Sequence, residues 1–124
     1  MSSVNILVVG DDLEMADVLH SSICDDINIT AISKLDEAFT HFVNYQDYVA
    51  IVLDLNPSVV QVDDFLRNIF NLSSKQAFIV PINVNDFQYL SVLIKYEKNI
   101  FYLRKPIDFI NFDLAIKSFL HNVK

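Results

Sequence analysis

The strongest constraint on this chain is an alternation that runs its whole length. Short apolar runs, each stopped by a polar residue or glycine, are separated by stretches whose apolar residues recur at helical spacing. Val4 to Val9 (VNILVV) ends at Gly10, Tyr48 to Leu53 (YVAIVL) at Asp54, Ala77 to Ile82 (AFIVPI) at Asn83, and Ile100 to Leu103 at Arg104-Lys105-Pro106. Asn28 to Ile32 (NITAI) is a shorter run of the same kind. Continuous apolar runs of this length read as strands buried on both faces, the condition of a parallel sheet. Pro81 lacks a backbone donor and counts against the run that contains it.

The intervening stretches carry the helical stripes Met15, Val18, Leu19, Ile23; Leu35, Ala38, Phe39, Phe42, Val43; Phe65, Leu66, Ile69, Phe70; and Leu90, Leu93, Ile94. A terminal stripe of Phe109, Phe112, Ile116, Phe119, Leu120 and Val123 is opened by Asp108. Ser33-x-x-Asp36 predicts a capping arrangement for the second helix, and Pro57 delays the start of the third. Five β/α units in strict order require right-handed crossovers and helices on both faces of one sheet. At 124 residues, residues 1–124 form a single domain, and 10 Phe and 5 Tyr give it ample core. Gly10 is the only glycine, so turns needing left-handed backbone fall to Asn and Asp, with Asn71, Asn85 and Asn99 as candidates.

Charge and cysteine usage exclude several classes. Nine basic against 16 acidic residues give −7, which disfavours direct nucleic acid binding by this domain. The one cysteine, Cys24, makes no internal disulfide and reads as a core or boundary residue; a reducing compartment fits. No apolar run approaches a membrane span, and Met1-Ser2-Ser3 starts no signal sequence, so a soluble, cytoplasmic protein without a membrane partner is expected. His20, His41 and His121 fall on three different helices and read as surface residues, not as a metal site.

In open parallel sheets, ligands sit outside the carboxyl ends of the strands. There the sequence gathers Asp11 and Asp12 after the first strand, Asp54 after the third, Asn83 after the fourth and Lys105 after the fifth. Three carboxylates so close need cations, which a hard divalent ion such as magnesium and the Lys105 ammonium would supply. With that charge offset, an Asp54 oxygen could attack phosphorus in line and take a phosphoryl group, with Lys105 pairing to it.

The segments ILVVGDD at 6–12, IVLDLNP at 51–57 and YLRKP at 102–106 make the chain resemble, over essentially its whole length, the receiver domain of two-component response regulators. The resemblance implies an α/β, flavodoxin-like fold with a five-stranded parallel sheet of order 2-1-3-4-5 and five helices on its two faces. It implies Asp54 as phosphoacceptor, Asp11 and Asp12 as the acid pair holding Mg2+ together with Asp54 and the Asn56 carbonyl, and Lys105 as the phosphoryl-binding lysine. Tyr102 stands at the family's aromatic switch position. Asn83 stands where the family carries the Ser or Thr that bonds the phosphoryl group, and the glycines usual before the third helix and fifth strand are absent. The implied function is phosphorelay signalling: a histidine kinase or phosphotransfer protein phosphorylates the receiver, which is not itself an enzyme beyond its own phosphorylation and dephosphorylation. It would signal to an effector or output domain through the face of helix four, strand five and helix five, which could also serve a homodimer. The alternative is a degenerate receiver that works without phosphorylation as an interaction or dimerisation module, favoured by Asn83 and the lost glycines. A flavodoxin-like cofactor binder ranks last, because acids replace a phosphate-cradling loop at 10–12.

Overall fold

The computed structural model describes residues 4–10, 27–55, 58–105 and 109–122. Five strands, β1 (Val4–Val9), β2 (Ile27–Ile32), β3 (Ala50–Leu53), β4 (Phe78–Ile82) and β5 (Ile100–Arg104), form one sheet. Its order is β2-β1-β3-β4-β5, and every pairing is parallel. This is the flavodoxin-like order that the resemblance implies. The connecting helices are α1 (Leu35–Asn44), α2 (Val59–Leu72), α3 (Leu90–Leu93) and α4 (Phe109–Asn122). The stripe at Met15 to Ile23 lies outside the described residues.

Strand alternation splits the core into two layers. Leu7, Val9, Ile51, Leu53, Phe78 and Val80 face α1 and α2, where Phe42, Phe65, Leu66 and Ile69 bury themselves against them. Ile6, Val8, Ala50, Val52, Ile79 and Leu103 face the other way and are covered by Phe112, Ala115 and Ile116 of α4. Helices therefore flank both faces, and every strand in the middle of the sheet is buried on both sides.

Several local expectations change. The third strand begins at Ala50, because Tyr48 is drawn aside: its hydroxyl bonds His41 Nε2 and its carbonyl accepts from Gln76 Nε2 at 3.3 Å. His41 is accordingly half-buried rather than a solvated surface residue, and its ring also packs on Tyr45. Helix α1 starts one residue later than Ser33-x-x-Asp36 requires. Lys34 occupies the N-cap without a side-chain bond, while Asp36 Oδ1 accepts from the Glu37 amide at 2.9 Å. The capping box sits instead at α2, where Ser58 and Gln61 satisfy each other's backbone amides.

The largest departure is the fourth helix. Residues 84–99 form two 3-10 stretches, Val84–Tyr89 and Ile94–Asn99, around the single turn α3. The buried face runs through Tyr89, Val92 and Leu93, with Tyr96 packed against the core, while Leu90 and Ile94 are exposed. The Asn expectation also fails: no non-glycine residue among those described has positive φ. Asn99 serves through its side chain instead: its Nδ2 donates to the carbonyls of Ser74 and Gln76, both at 3.1 Å, and ties the loop before β4 to the end of the second 3-10 stretch.

Pro81 is accommodated by where its strand loses a neighbour. The Ala77 carbonyl accepts from Ile51 on the β3 side and the Ile82 carbonyl from Lys105 on the β5 side, so alternation turns Pro81 toward β3. Pairing of β3 with β4 takes in Ile51↔Phe78 and Val52↔Ile79, short of Pro81. The missing donor therefore interrupts no rung of the ladder.

Candidate functional site

The carboxyl rim of the sheet places Asp54 at its centre. Asp54 follows β3 directly, its amide donates to the Val9 carbonyl at 2.9 Å, and its side chain is 2% exposed. A carboxylate so deeply placed requires partners. Lys105, fixed where its amide donates to the Ile82 carbonyl at 2.9 Å, brings its Nζ to 3.5 Å from Asp54 Oδ1. Thus β3 and β5, separated by β4, deliver the two groups that the sequence pairs.

Gly10 explains how Asp54 fits. The β1–β3 register ends at Val9↔Leu53, so Gly10 and Asp54 continue it side by side. A Cβ built on Gly10 would lie 2.4 Å from Asp54 Cβ and 3.1 Å from Asp54 Oδ2, and Gly10 has φ +143°. Both the conformation and the close approach require glycine. The two carboxylate oxygens are thereby sorted: Oδ1 is turned to Lys105, and Oδ2 to the end of β1, where Asp11 and Asp12 follow.

Asp11, Asp12 and Asn56 lie outside the described residues. No group of three His, Cys, Asp or Glu side chains among the described residues could hold a metal ion. Asp54 itself suits a hard cation: Oδ2 faces the strand end that precedes two further carboxylates, and Oδ1 already has a cationic partner.

Asn83, at the end of β4, does not present its side-chain oxygen to a ligand. Its Oδ1 accepts from the Asn85 amide at 2.9 Å, and its own amide donates to Asp86 Oδ2 at 3.0 Å, which caps the first 3-10 turn. Tyr102 lies on β5 with 37% of its surface exposed. Phe87, Leu90 and Ile94 are also exposed, at 71%, 45% and 62%, on the helical segment that precedes β5.

Tyr89 is a buried residue that the stripe at 90, 93 and 94 leaves out. It ends the 3-10 turn capped by Asn83, is 5% exposed, and belongs to the core cluster that contains Leu55, the residue after Asp54. Its phenol titrates above the ordinary 10.0, chiefly through burial and then through the negative charges of Asp86 and Asp54. Burial, followed by Glu97, likewise raises Tyr102. A folded value above the unfolded one means that the folded state holds the proton more tightly. The associated stability is complete below pH 10 and is lost as pH rises through the folded values. Urea midpoints measured across pH 9–12 should therefore fall from about pH 10 upward, and Tyr89→Phe should make that fall shallower. An equal slope in parent and variant would contradict the assignment for Tyr89.

No family model matches this chain, and no curated protein matches it. Solved structures do. A response regulator receiver domain protein (CheY-like) from Methanospirillum hungatei superposes with a TM-score of 0.79 at 15% identity, over 98% of this chain and 96% of that one. A response regulator receiver domain protein from Clostridium thermocellum gives 0.77 at 20% identity, over 96% and 95%. An adenylate cyclase from Rhodopirellula baltica gives 0.78 at 18% identity, over 96% and 88%. At these identities the likeness is one of fold, and the fold is that of receiver domains.

Proposed function

We propose that this chain, which has the receiver fold, is a phosphoacceptor module of two-component signalling, with Asp54 as the acceptor. The observation that carries the reading is the buried Asp54 carboxylate held at 3.5 Å from Lys105 on the carboxyl rim of the sheet. In the step proposed, an oxygen of ionised Asp54 attacks the phosphorus of a phosphohistidine on a kinase or phosphotransfer protein. The P–O bond to Asp54 forms as the P–N bond breaks, and the electron pair stays with the departing imidazole. Lys105 pairs with the incoming phosphoryl oxygens, which carry more negative charge than the carboxylate it held before. Magnesium held by Asp54, Asp11, Asp12 and the Asn56 carbonyl would offset the charge of donor and acceptor together. The chain turns over no small metabolite: it is itself the substrate, in a reducing, cytoplasmic setting.

The output surface in this reading is the one made by residues 84–99, β5 and α4. Phe87, Leu90, Ile94 and Tyr102 offer it exposed apolar area that an effector, or a second copy of the chain, would cover.

Incubating the protein with magnesium and acetyl phosphate, then weighing it intact, tests the proposal. A gain of one phosphoryl group is expected, and it should disappear on mild alkaline treatment, as an acyl phosphate does. A mass that never changes, with this donor or with a phosphorylated histidine protein, would refute it. The second reading, an interaction module that works without phosphorylation, is favoured by the residue at the end of β4, where Asn83 offers no hydroxyl and its side chain caps the following 3-10 turn.

A further inference from the structure

The sheet ends on β2, and the composition of that strand suits an interior position better than an edge. Residues 27–32 (INITAI) hold no charge, no proline and no glycine, and all of them pair in unbroken register with β1. Edge strands are ordinarily blunted by a charge, a proline, a bulge or brevity. β2 has none of these, whereas β5 at the opposite edge carries Arg104.

The register shows which backbone groups are open. Because the Ile32 carbonyl accepts from the Gly10 amide at 3.0 Å, Ile32 is turned to β1, and alternation turns Ile27, Ile29 and Ala31 the other way. Their N–H and C=O groups point past the sheet, where no strand lies among the described residues. Asn28 and Ala31 are exposed, and Ile29 and Thr30 are half-buried.

We propose that this edge pairs with the same edge of a second copy of the chain, antiparallel about a twofold axis at Ile29, joining two five-stranded sheets into one. The symmetry sets Ile29 against its own counterpart and Ile27 against Ala31, so each outward N–H and C=O of these residues finds a partner. Ile29 meets Ile29 on the side of α4, and Asn28 meets Thr30 on the side of α1, pairs that bring no like charges together. The flanks in sequence favour the same arrangement. Asp25 and Asp26 precede the strand and Lys34 follows it, so antiparallel pairing sets the acidic flank of one copy toward the basic flank of the other. Parallel addition would set acid beside acid. A twofold pair uses both β2 edges, so assembly stops at two, and Tyr102 on β5 at the far edge stays open to an effector.

Sedimentation equilibrium of the chain, with a reductant to keep Cys24 from cross-linking copies, tests the proposal. The average mass should climb from one chain toward two, and no further, as concentration rises to about 1 mM. Over the same range amide hydrogen exchange at Ile29 and Ala31 should slow, while Asn28 and Thr30, whose amides already face β1, should change far less. That measurement needs no variant. Ala31→Pro should weaken association about tenfold or more, because it removes a donor that the second copy alone uses and leaves the rungs with β1 in place. Ala31→Lys keeps the backbone donor and adds a charge to the edge, so it should weaken association by less, and it replaces the proline variant if circular dichroism shows that one unfolded. A chain that stays monomeric throughout, a mass that grows beyond two, or a dimer whose Ile29 and Ala31 amides exchange as in the monomer would each overturn the proposal. So would a dimer that Ala31→Pro, folded, leaves as tight as the parent. None of these outcomes bears on Asp54, so the phosphoacceptor reading stands or falls separately.

Discussion

Gly10→Ala should lower stability by roughly 2–6 kcal/mol, a large part of what a domain of this size possesses. Two independent effects add. A residue with a side chain placed at φ +143° is strained, by about 1–3 kcal/mol. Its Cβ would also fall 2.4 Å from Asp54 Cβ, a distance the structure must relieve by shifting β1 against β3, and overpacking of this kind costs about 1–3 kcal/mol more. Neither strand end moves freely, because the Asp54 amide is bonded to Val9 and the Gly10 amide to Ile32. Urea unfolding followed by circular dichroism gives the magnitude. A midpoint unchanged from the parent would mean that the β1–β3 contact is not as described. If Asp54 is the acceptor proposed above, phosphoryl acceptance should suffer as well, since the shift is relieved at its side chain.

Asp54→Asn should abolish phosphoryl acceptance from a small donor altogether, with the fold preserved. An amide has the size of the carboxylate and keeps a carbonyl oxygen near Lys105, but it lacks the negative charge and the nucleophilic oxygen that forms the acyl phosphate. Loss of labelling in a variant with native circular dichroism would place the chemistry on this residue. Labelling equal to that of the parent would show that another side chain is the acceptor, and peptide mapping of the labelled variant would identify it. The two substitutions differ in kind: Gly10→Ala acts by moving Asp54, whereas Asp54→Asn leaves it in place and removes its reactivity.

The strand positions were legible in the sequence because continuous apolar runs have few other uses, and the parallel order followed from their alternation with helices. Asp54 and Lys105 were legible for the same reason: Asp54 is the polar residue that stops one run, and Lys105 belongs to the Arg104-Lys105-Pro106 segment that ends another. What sequence could not show was contact between residues distant in the chain. Gly10 stood out as the sole glycine and a strand terminus, yet its reason is the Asp54 side chain one strand away. At the fourth helix the stripe read at 90, 93 and 94 shares only Leu93 with the buried face, because the aromatic and β-branched residues Tyr89 and Val92 fill the core where Leu90 and Ile94 were expected to. Tyr89 was hidden by the same error. The capping box of Ser58 and Gln61, by contrast, was readable from Ser-x-x-Gln ahead of an apolar stripe, whereas Ser33 drew the eye to a helix that starts without a side-chain cap. Departures at Asn83 were visible as a residue identity, but their meaning depended on the Asn85 and Asp86 bonds.

Because the β3–β4 pairing stops short of Pro81, the carboxyl rim is stitched together in two pieces. One piece is β1 with β3, joined up to the Asp54 amide; the other is β4 with β5, joined up to the Lys105 amide. The described β3–β4 rungs stop at Val52↔Ile79. Asp54 and Lys105 therefore stand on separate pieces of that edge, and the 3.5 Å approach of Lys105 Nζ to Asp54 Oδ1 reaches across between them.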